Sequence, residues 1–289
     1  MKSENKANIN WFPGHMAKTE RELKENLKKV DLVAEVIDAR IPISSQNPDL
    51  KSIIGSKPKM IIINKSDLAD KSQNEKWLDY FGNMGIPSML FSIKNSSDAT
   101  NFKKKVNTVM KEKLEKWKSK GVLNQSIRIM IVGIPNVGKS SIINRLAKNS
   151  KAKVENRPGV TKRINWFSVG NNIEILDTPG VLWPKFKNNE MAYNLAFTGA
   201  IKDQILDTEN LAFEFIKRVK TNYLSVLCEK FGLDENLVKK YDALALINCI
   251  GKKRGMIKAG GKVDFLRTSN MILENYRNGK LGNLTLENL

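Results

Sequence analysis

Two short motifs, and the order in which they occur, restrict this chain more than any other feature. Asn64-Lys65-Ser66-Asp67 follows the apolar run Met60-Ile61-Ile62-Ile63, and Gly133-Ile134-Pro135-Asn136-Val137-Gly138-Lys139-Ser140 follows Ile129-Met130-Ile131-Val132. Uninterrupted runs of this kind suit strands buried on both faces of a mainly parallel sheet. An open α/β sheet holds its ligands beyond the carboxyl ends of its strands. The chain must therefore fold so that two strand ends far apart in sequence become neighbours, with the Asn64 motif coming first.

The remaining pattern agrees with such a sheet. Further strands are expected at Leu32 to Asp38, Lys59 to Asn64, Ser88 to Ser92, Arg128 to Gly133 and Ile173 to Asp177. Helical spacing of apolar residues predicts helices near residues 17–29, 72–84, 99–119 and 139–148. Alternating strands and helices define a doubly wound α/β arrangement. From about residue 186 the strand pattern stops, and helical spacing recurs near 189–201, 208–220, 221–231, 234–251 and 264–278. We expect an α/β domain over residues 1–184 and a smaller all-α domain over residues 185–289.

Each motif carries a specific chemistry. The Asp67 carboxylate can accept two hydrogen bonds, from guanine N1–H and from its exocyclic amine; adenine offers no such pair and would leave the charge unmatched. Asn64 would hold the base and its loop, and the stem of Lys65 would cover the ring. Ser92-Ile93-Lys94, after the next strand, stands where GTPases carry an SAK-like motif whose backbone meets guanine O6. Here Ile93 replaces the usual Ala, a change that a backbone contact tolerates.

Gly133 to Ser140 fits GxxxxGK[ST] between a strand and a helix. Its glycines let backbone N–H groups of Asn136, Val137, Gly138 and their neighbours turn toward phosphate at the positive end of the next helix. Lys139 would neutralise the β- and γ-phosphates, the Ser140 hydroxyl would bind Mg²⁺, and Ser141 would continue the helix N-terminus beside it. Asp177-Thr178-Pro179-Gly180 matches DxxG, with Asp177 reaching Mg²⁺ through water and the Gly180 N–H sensing the γ-phosphate. Arg157-Pro158-Gly159-Val160-Thr161 lies between these motifs. Thr161 is the only threonine between Ser141 and Leu176, and it would complete the metal shell with GTP bound; otherwise it is a solvated turn residue.

In ordinary small GTPases the phosphate loop precedes the guanine motif. The reversed order here resembles the circularly permuted, ribosome-associated GTPases, and most closely the ribosome biogenesis GTPase A family. The resemblance extends to Trp11-Phe12-Pro13-Gly14-His15-Met16, Asp38-Ala39-Arg40-Ile41-Pro42 and Gly279-Lys280-Leu281-Gly282. It implies a circularly permuted P-loop GTPase domain followed by the helical domain, GTP or GDP and Mg²⁺ as ligands, and the large (50S) ribosomal subunit with its rRNA as partner.

The resemblance also bears on hydrolysis. Val181 and Leu182 follow Gly180, and neither side chain can orient water as the Gln of Ras-like proteins does. His15, the only histidine, is the catalytic candidate that the family implies, beside Lys139; the alternative is a His that packs in a Trp-Phe-Pro turn. Asn136 matches the asparagine of potassium-activated GTPases. A bound K⁺ would then offset γ-phosphate charge, whereas the alternatives are a turn-shaping Asn or an arginine from a partner.

Charge points to the class of partner. The formal net charge is +19, which attracts polyanions through counterion release. One basic stretch runs from Lys103-Lys104-Lys105 through Lys111, Lys113, Lys116, Lys118 and Lys120, interrupted by Glu112 and Glu115. A second comprises Lys252-Lys253-Arg254-Gly255 with Lys258 and Lys262. RNA is favoured over DNA, and a free monomer is expected. Met1 to Ile9 has no apolar core of a secretory signal, and no apolar run nears the ~18 residues of a membrane span, so a cytoplasmic protein is expected without a membrane partner. Cys228 and Cys249 have neither CxxC spacing nor a secretory context, and both are expected in the core. The competing functional class is an RNA chaperone, or another RNA-acting GTPase, in which GTP is mainly a structural switch.

Overall fold

The computed structural model describes residues 16–122, 125–148, 154–155, 166–170, 172–178, 188–201 and 207–289. Its α/β part is one seven-stranded sheet. The strands are β1 (Leu32–Asp38), β2 (Lys59–Asn64), β3 (Ser88–Phe91), β4 (Ile127–Gly133), β5 (Val154–Glu155), β6 (Trp166–Ser168) and β7 (Ile173–Asp177). Their spatial order is β3-β2-β1-β4-β7-β6-β5. The pairs β1–β2, β1–β4, β2–β3 and β4–β7 are parallel, and only β6 against β7 and β5 against β6 run antiparallel.

The central strands are apolar on both faces because both faces are covered. In β1, Leu32, Ala34 and Val36 pack with Phe102 and Val106 of α4 (Asp98–Val109) and with Ile142 and Ile143 of α6 (Lys139–Lys148). On the other face Val33 meets Leu23 and Leu27 of α1 (Met16–Leu27) and Leu50 and Ile54 of α2 (Leu50–Ile54). Ile37, Ile61 and Ile63 pack on Trp77 and Phe81 of α3 (Lys71–Asn83). All seven residues of β1 are buried, Glu35 included; its carboxylate meets Lys59 at 2.5 Å and accepts from the Asn47 N–H at 2.8 Å.

The other elements among the described residues include the helices α5 (Lys111–Ser119), α7 (Asn189–Phe197), α8 (Thr208–Asn222), α9 (Leu224–Phe231), α10 (Glu235–Lys240), α11 (Ala243–Lys253) and α12 (Phe265–Arg277). Aspartate caps set several of the starts. Asp207, Asp234, Asp242 and Asp264 accept backbone N–H bonds in the first turns of α8, α10, α11 and α12. These caps explain one departure from expectation. The predicted helix 234–251 is two helices, because Asp242 caps α11 only with Tyr241 and Asp242 extended. Likewise 99–119 divides into α4 and α5 at Met110, which leaves helical geometry while its side chain stays in the core.

Cys228 and Cys249 are half-buried at the margin of the core, not inside it as expected. The boundary expected at 184/185 lies outside the described residues. On its far side the helices continue the same apolar cluster that underlies β1 and β4, through Leu195, Phe197, Phe215, Ile216, Leu246 and Leu273. The chain then returns from α12 to the sheet: Leu281, Leu284, Thr285 and Leu286 are buried, and the Leu284 and Leu286 N–H groups bond to the carbonyls of Leu68 and Arg40 at 3.2 and 2.8 Å. Among the described residues no helix is long and apolar enough to cross a membrane.

Candidate nucleotide site

The strand order places the carboxyl end of β1 between those of β2 and β4, so Asp38 stands between the Asn64 motif and the Gly133 loop. Lys65, held left-handed at φ 60°, uses that position. Its Nζ meets Asp38 Oδ2 at 2.9 Å and donates to the Asn136 carbonyl at 2.7 Å. Next to it the Asn64 amide donates to the Val137 carbonyl at 2.8 Å. The two motifs are thus joined by hydrogen bonds although they lie far apart in sequence. The second loop glycine follows from this closeness: a Cβ on Gly138 would lie 2.3 Å from Asn64 Nδ2, and its φ of 101° disfavours any side chain.

Asp67 follows in a single 3₁₀ turn, Ser66–Leu68. Its Oδ1 accepts from the Ser92 hydroxyl at 2.8 Å and its Oδ2 pairs with Lys94 Nζ at 2.8 Å. Burial pushes this carboxyl up, but the Lys94 and Ser92 hydrogen bonds outweigh burial and hold it below the ordinary carboxylate range. Ser92, Ile93 and Lys94 form a loop wound on Asp98, which accepts from the Ser92 N–H at 2.7 Å and from the Asn95 amide at 2.8 Å. Ile93 is exposed at 49%, so its side chain leaves the backbone of this loop open.

At the phosphate loop, Lys139 is buried and its Nζ donates to the Gly133 and Ile134 carbonyls, each at 3.0 Å. Burial lowers it to about 8, with Asp177 opposing the shift. The loop has thus folded its cation onto its own carbonyls, ready to turn toward an anion. Ser140 and Ser141 are exposed at the first turn of α6. Asp177 ends β7, and the neighbouring Thr178 hydroxyl ties that end to β4 by donating to the Ile131 carbonyl at 2.6 Å. Burial pushes the Asp177 carboxyl up despite Lys139, and its Oδ1 is buried without a hydrogen-bond partner. A buried oxygen of this kind fits a cation nearby, and the Ser140 hydroxyl with the Asp177 carboxylate is the hard oxygen set that Mg²⁺ takes. His15, Thr161 and Gly180 lie outside the described residues.

Two features escaped the sequence reading. The first is the ion pair inside Asp38-Ala39-Arg40, a segment noted above only for its resemblance. Arg40, 1% exposed, binds Asp38 through both Nε and Nη2, at 2.9 and 2.8 Å, and lies 5.0 Å above the Tyr276 ring of α12. Burial raises the Asp38 carboxyl, yet Arg40 and Lys65 together hold it well below the usual carboxylate range. Acid and base two residues apart after a buried strand were the available signal. The second is the partner of Asn136, whose amide donates to the Gly199 carbonyl beyond α7 at 2.6 Å. No local pattern joins those positions.

Comparison with known proteins agrees with this geometry. A family model described as 50S ribosome-binding GTPase matches residues 128–230, starting at the strand that leads into the phosphate loop. Ribosome biogenesis GTPase A of Bacillus licheniformis is 43% identical over 279 residues, which are 96% of this chain and 98% of that protein. Mitochondrial ribosome-associated GTPase 1 of Mus musculus is 32% identical, over 96% of this chain and 89% of that protein. The crystal structure of GNP-bound YlqF from T. maritima superposes with a TM-score of 0.66 at 26% identity, covering 94% of this chain and 98% of that one.

A mainly parallel sheet whose guanine motif precedes the phosphate loop in sequence, yet touches it in space, defines a circularly permuted P-loop GTPase. Such a protein binds and hydrolyses GTP. Within that class, the chain belongs to the ribosome biogenesis GTPase A family.

Proposed function

We propose that the protein is a GTP-dependent assembly factor for the large ribosomal subunit, docking on its rRNA in the GTP state and leaving after hydrolysis. The observation that carries this reading is the joined pocket, in which Asn64 and Lys65 hold the phosphate-loop carbonyls of Val137 and Asn136. Asp67 reads the base, and the backbone of Ser92, Ile93 and Lys94 faces its O6 edge. Guanine N–H groups replace Lys94 and Ser92 as donors to Asp67, so the carboxylate is ionised before the base arrives. Asn136, Val137, Gly138, Lys139, Ser140 and Ser141 surround the phosphates. Lys139 exchanges two carbonyls for phosphate oxygens and regains its full charge there.

Ser140 and Thr161 would hold Mg²⁺, with Asp177 reaching it through water, and when bound it would supply compensation of phosphate charge. Gly180 senses the γ-phosphate. His15 orients the attacking water, since Val181 and Leu182 cannot. Asn136, whose amide nitrogen is held by the Gly199 carbonyl, would serve a K⁺ ion that offsets γ-phosphate charge.

The helical region, residues 185–289, is the docking module. Residues 252–262, the end of α11 and the loop after it, are exposed apart from the half-buried Met256, and they offer Lys252, Lys258 and Lys262. Two cations of the same cluster have structural work: Lys253 donates to the Gly232 carbonyl, and Arg254 donates to that of Lys230 at 2.6 Å. The partner is ribosomal RNA, neither DNA nor a membrane, and the free protein is a cytoplasmic monomer.

The test is GTP turnover with and without purified large subunits, in K⁺ and in Na⁺, for the native chain and His15→Ala. Stimulation by subunits, and its loss in His15→Ala, is expected. Turnover indifferent to subunits would contradict the assignment of partner.

A further inference from the structure

The turn that carries Asp67 is held from two sides, and the second side is the end of the chain. On the sheet side, the Ser66 hydroxyl donates to the Phe91 carbonyl at 3.1 Å, and the Asn74 amide donates to the Ser66 carbonyl at 2.9 Å. Beyond Asp67 the partners come from the C-terminal segment. The Leu68 carbonyl accepts from the Leu284 N–H at 3.2 Å, and the Asp70 N–H donates to the Thr285 hydroxyl at 3.1 Å. Gly279 lies so close that a Cβ there would fall 2.6 Å from Leu68 Cδ2.

The segment is itself anchored at many points. The Tyr223 hydroxyl donates to the Thr285 carbonyl at 2.9 Å, and Trp77 Nε1 donates to the Glu287 carbonyl at 3.0 Å. The Glu287 carboxylate takes the Ile43 N–H at 2.6 Å, the Ser44 N–H at 3.0 Å and the Asn194 amide at 3.0 Å. Thr285 is fully buried. A segment built this firmly on the far side of one short turn fixes where that turn can sit.

We propose that the C-terminal segment, residues 279–289, is a positioning element of the guanine site, with Thr285 as its positioning residue. It touches no nucleotide. It acts through the backbone of Leu68 and Asp70, which follows Asp67 directly, and so sets the carboxylate against the two guanine donors. The inference rests on the reading of Asp67 as the base acceptor. Its consequence is selective: loosening the turn weakens the hydrogen bonds to N1–H and to the 2-amino group, while the phosphate loop is unaffected.

The experiment compares GDP with IDP, which lacks the 2-amino group, in calorimetric titrations of the full chain. Thr285→Val keeps the shape and removes the acceptor of the Asp70 N–H, leaving a part-buried donor unmatched in the aligned turn. We expect its GDP Kd to rise roughly three- to tenfold and its IDP Kd to rise much less, so that the preference for GDP shrinks. Thr285→Ser restores the hydroxyl and the preference. A merely structural loss would weaken both ligands equally, and an equal loss overturns the proposal, as does an unchanged preference. Should Thr285→Val not fold, Thr285→Ala, which also deletes the hydroxyl but adds no bulk, reads the same ratio. A native chain that fails to prefer GDP over ADP would instead overturn the assignment of the base site.

Discussion

Asn136 of the phosphate loop and Gly199 beyond α7 are joined by a 2.6 Å hydrogen bond from the Asn136 amide to the Gly199 carbonyl. The bond fixes which way the amide faces, and so which way its oxygen faces. Asn136→Ala is expected to abolish the difference between turnover in K⁺ and in Na⁺ while changing GDP affinity by less than about threefold, since it removes no phosphate N–H. Persistent potassium activation would place the cation elsewhere.

Lys139 gives the nucleotide site a pH dependence with a definite sign. With the site empty, burial lowers the lysine to about 8, and phosphate oxygens restore its charge when they bind. Nucleotide affinity is therefore full below pH 8 and falls as pH rises through it, by up to about tenfold per unit. Calorimetry above that pH, in buffers of different ionisation enthalpy, should detect uptake of a proton on binding. Affinity flat up to about pH 9.5 would mean that the empty-site lysine is not perturbed.

Gly138→Ala should cost more than a loop glycine usually does. The new methyl would strike Asn64 Nδ2 in a backbone conformation that alanine avoids. We expect a loss of about 1–3 kcal/mol of stability by chemical denaturation, with a parallel loss of nucleotide affinity.

Arg40 tests the buried ion cluster. Arg40→Ala leaves Asp38 with Lys65 as its only cation, and breaking a buried pair from one side costs about 3–5 kcal/mol. The native cluster has a signature in acid. Asp38 is depressed in the folded state, so its contribution is present above the ordinary carboxylate pKa and is lost as pH falls through the folded value. Denaturation midpoints of Arg40→Ala should therefore fall less steeply with acid than those of the native protein.

Charge reversal at Lys252, exposed in the last turn of α11, and at Lys262, exposed in the loop after it, should weaken binding to large subunits and flatten its dependence on salt. The slope should change by about one unit for each phosphate that a lysine no longer neutralises. GDP affinity should not change. Co-sedimentation across a salt series measures both effects.

Much of the sheet was legible because its signals are local. Runs such as Met60 to Ile63 and Ile129 to Val132 suit only strands covered on both faces, and β2 and β4 fall where they lead. The antiparallel edge was not legible, since β5 has two residues and β6 three, too few for any alternation. The short α2 escaped for the same reason. At the candidate site, residue types singled out Asp67, Lys139 and Asp177 by their motifs alone. What could not be read were the groups whose partners are remote, such as Arg40 on Tyr276, Asn136 on Gly199, and Thr285 behind the Asp67 turn.

The pairing of β1 with β4 has a consequence for how the polypeptide is made. Leu32 lies against Ile129 at the middle of the sheet, so the centre cannot close until everything between them has been synthesised. The Asn64 motif therefore emerges from the translating machine before the Gly133 loop to which it is bonded, and the two can join only once that loop has been made.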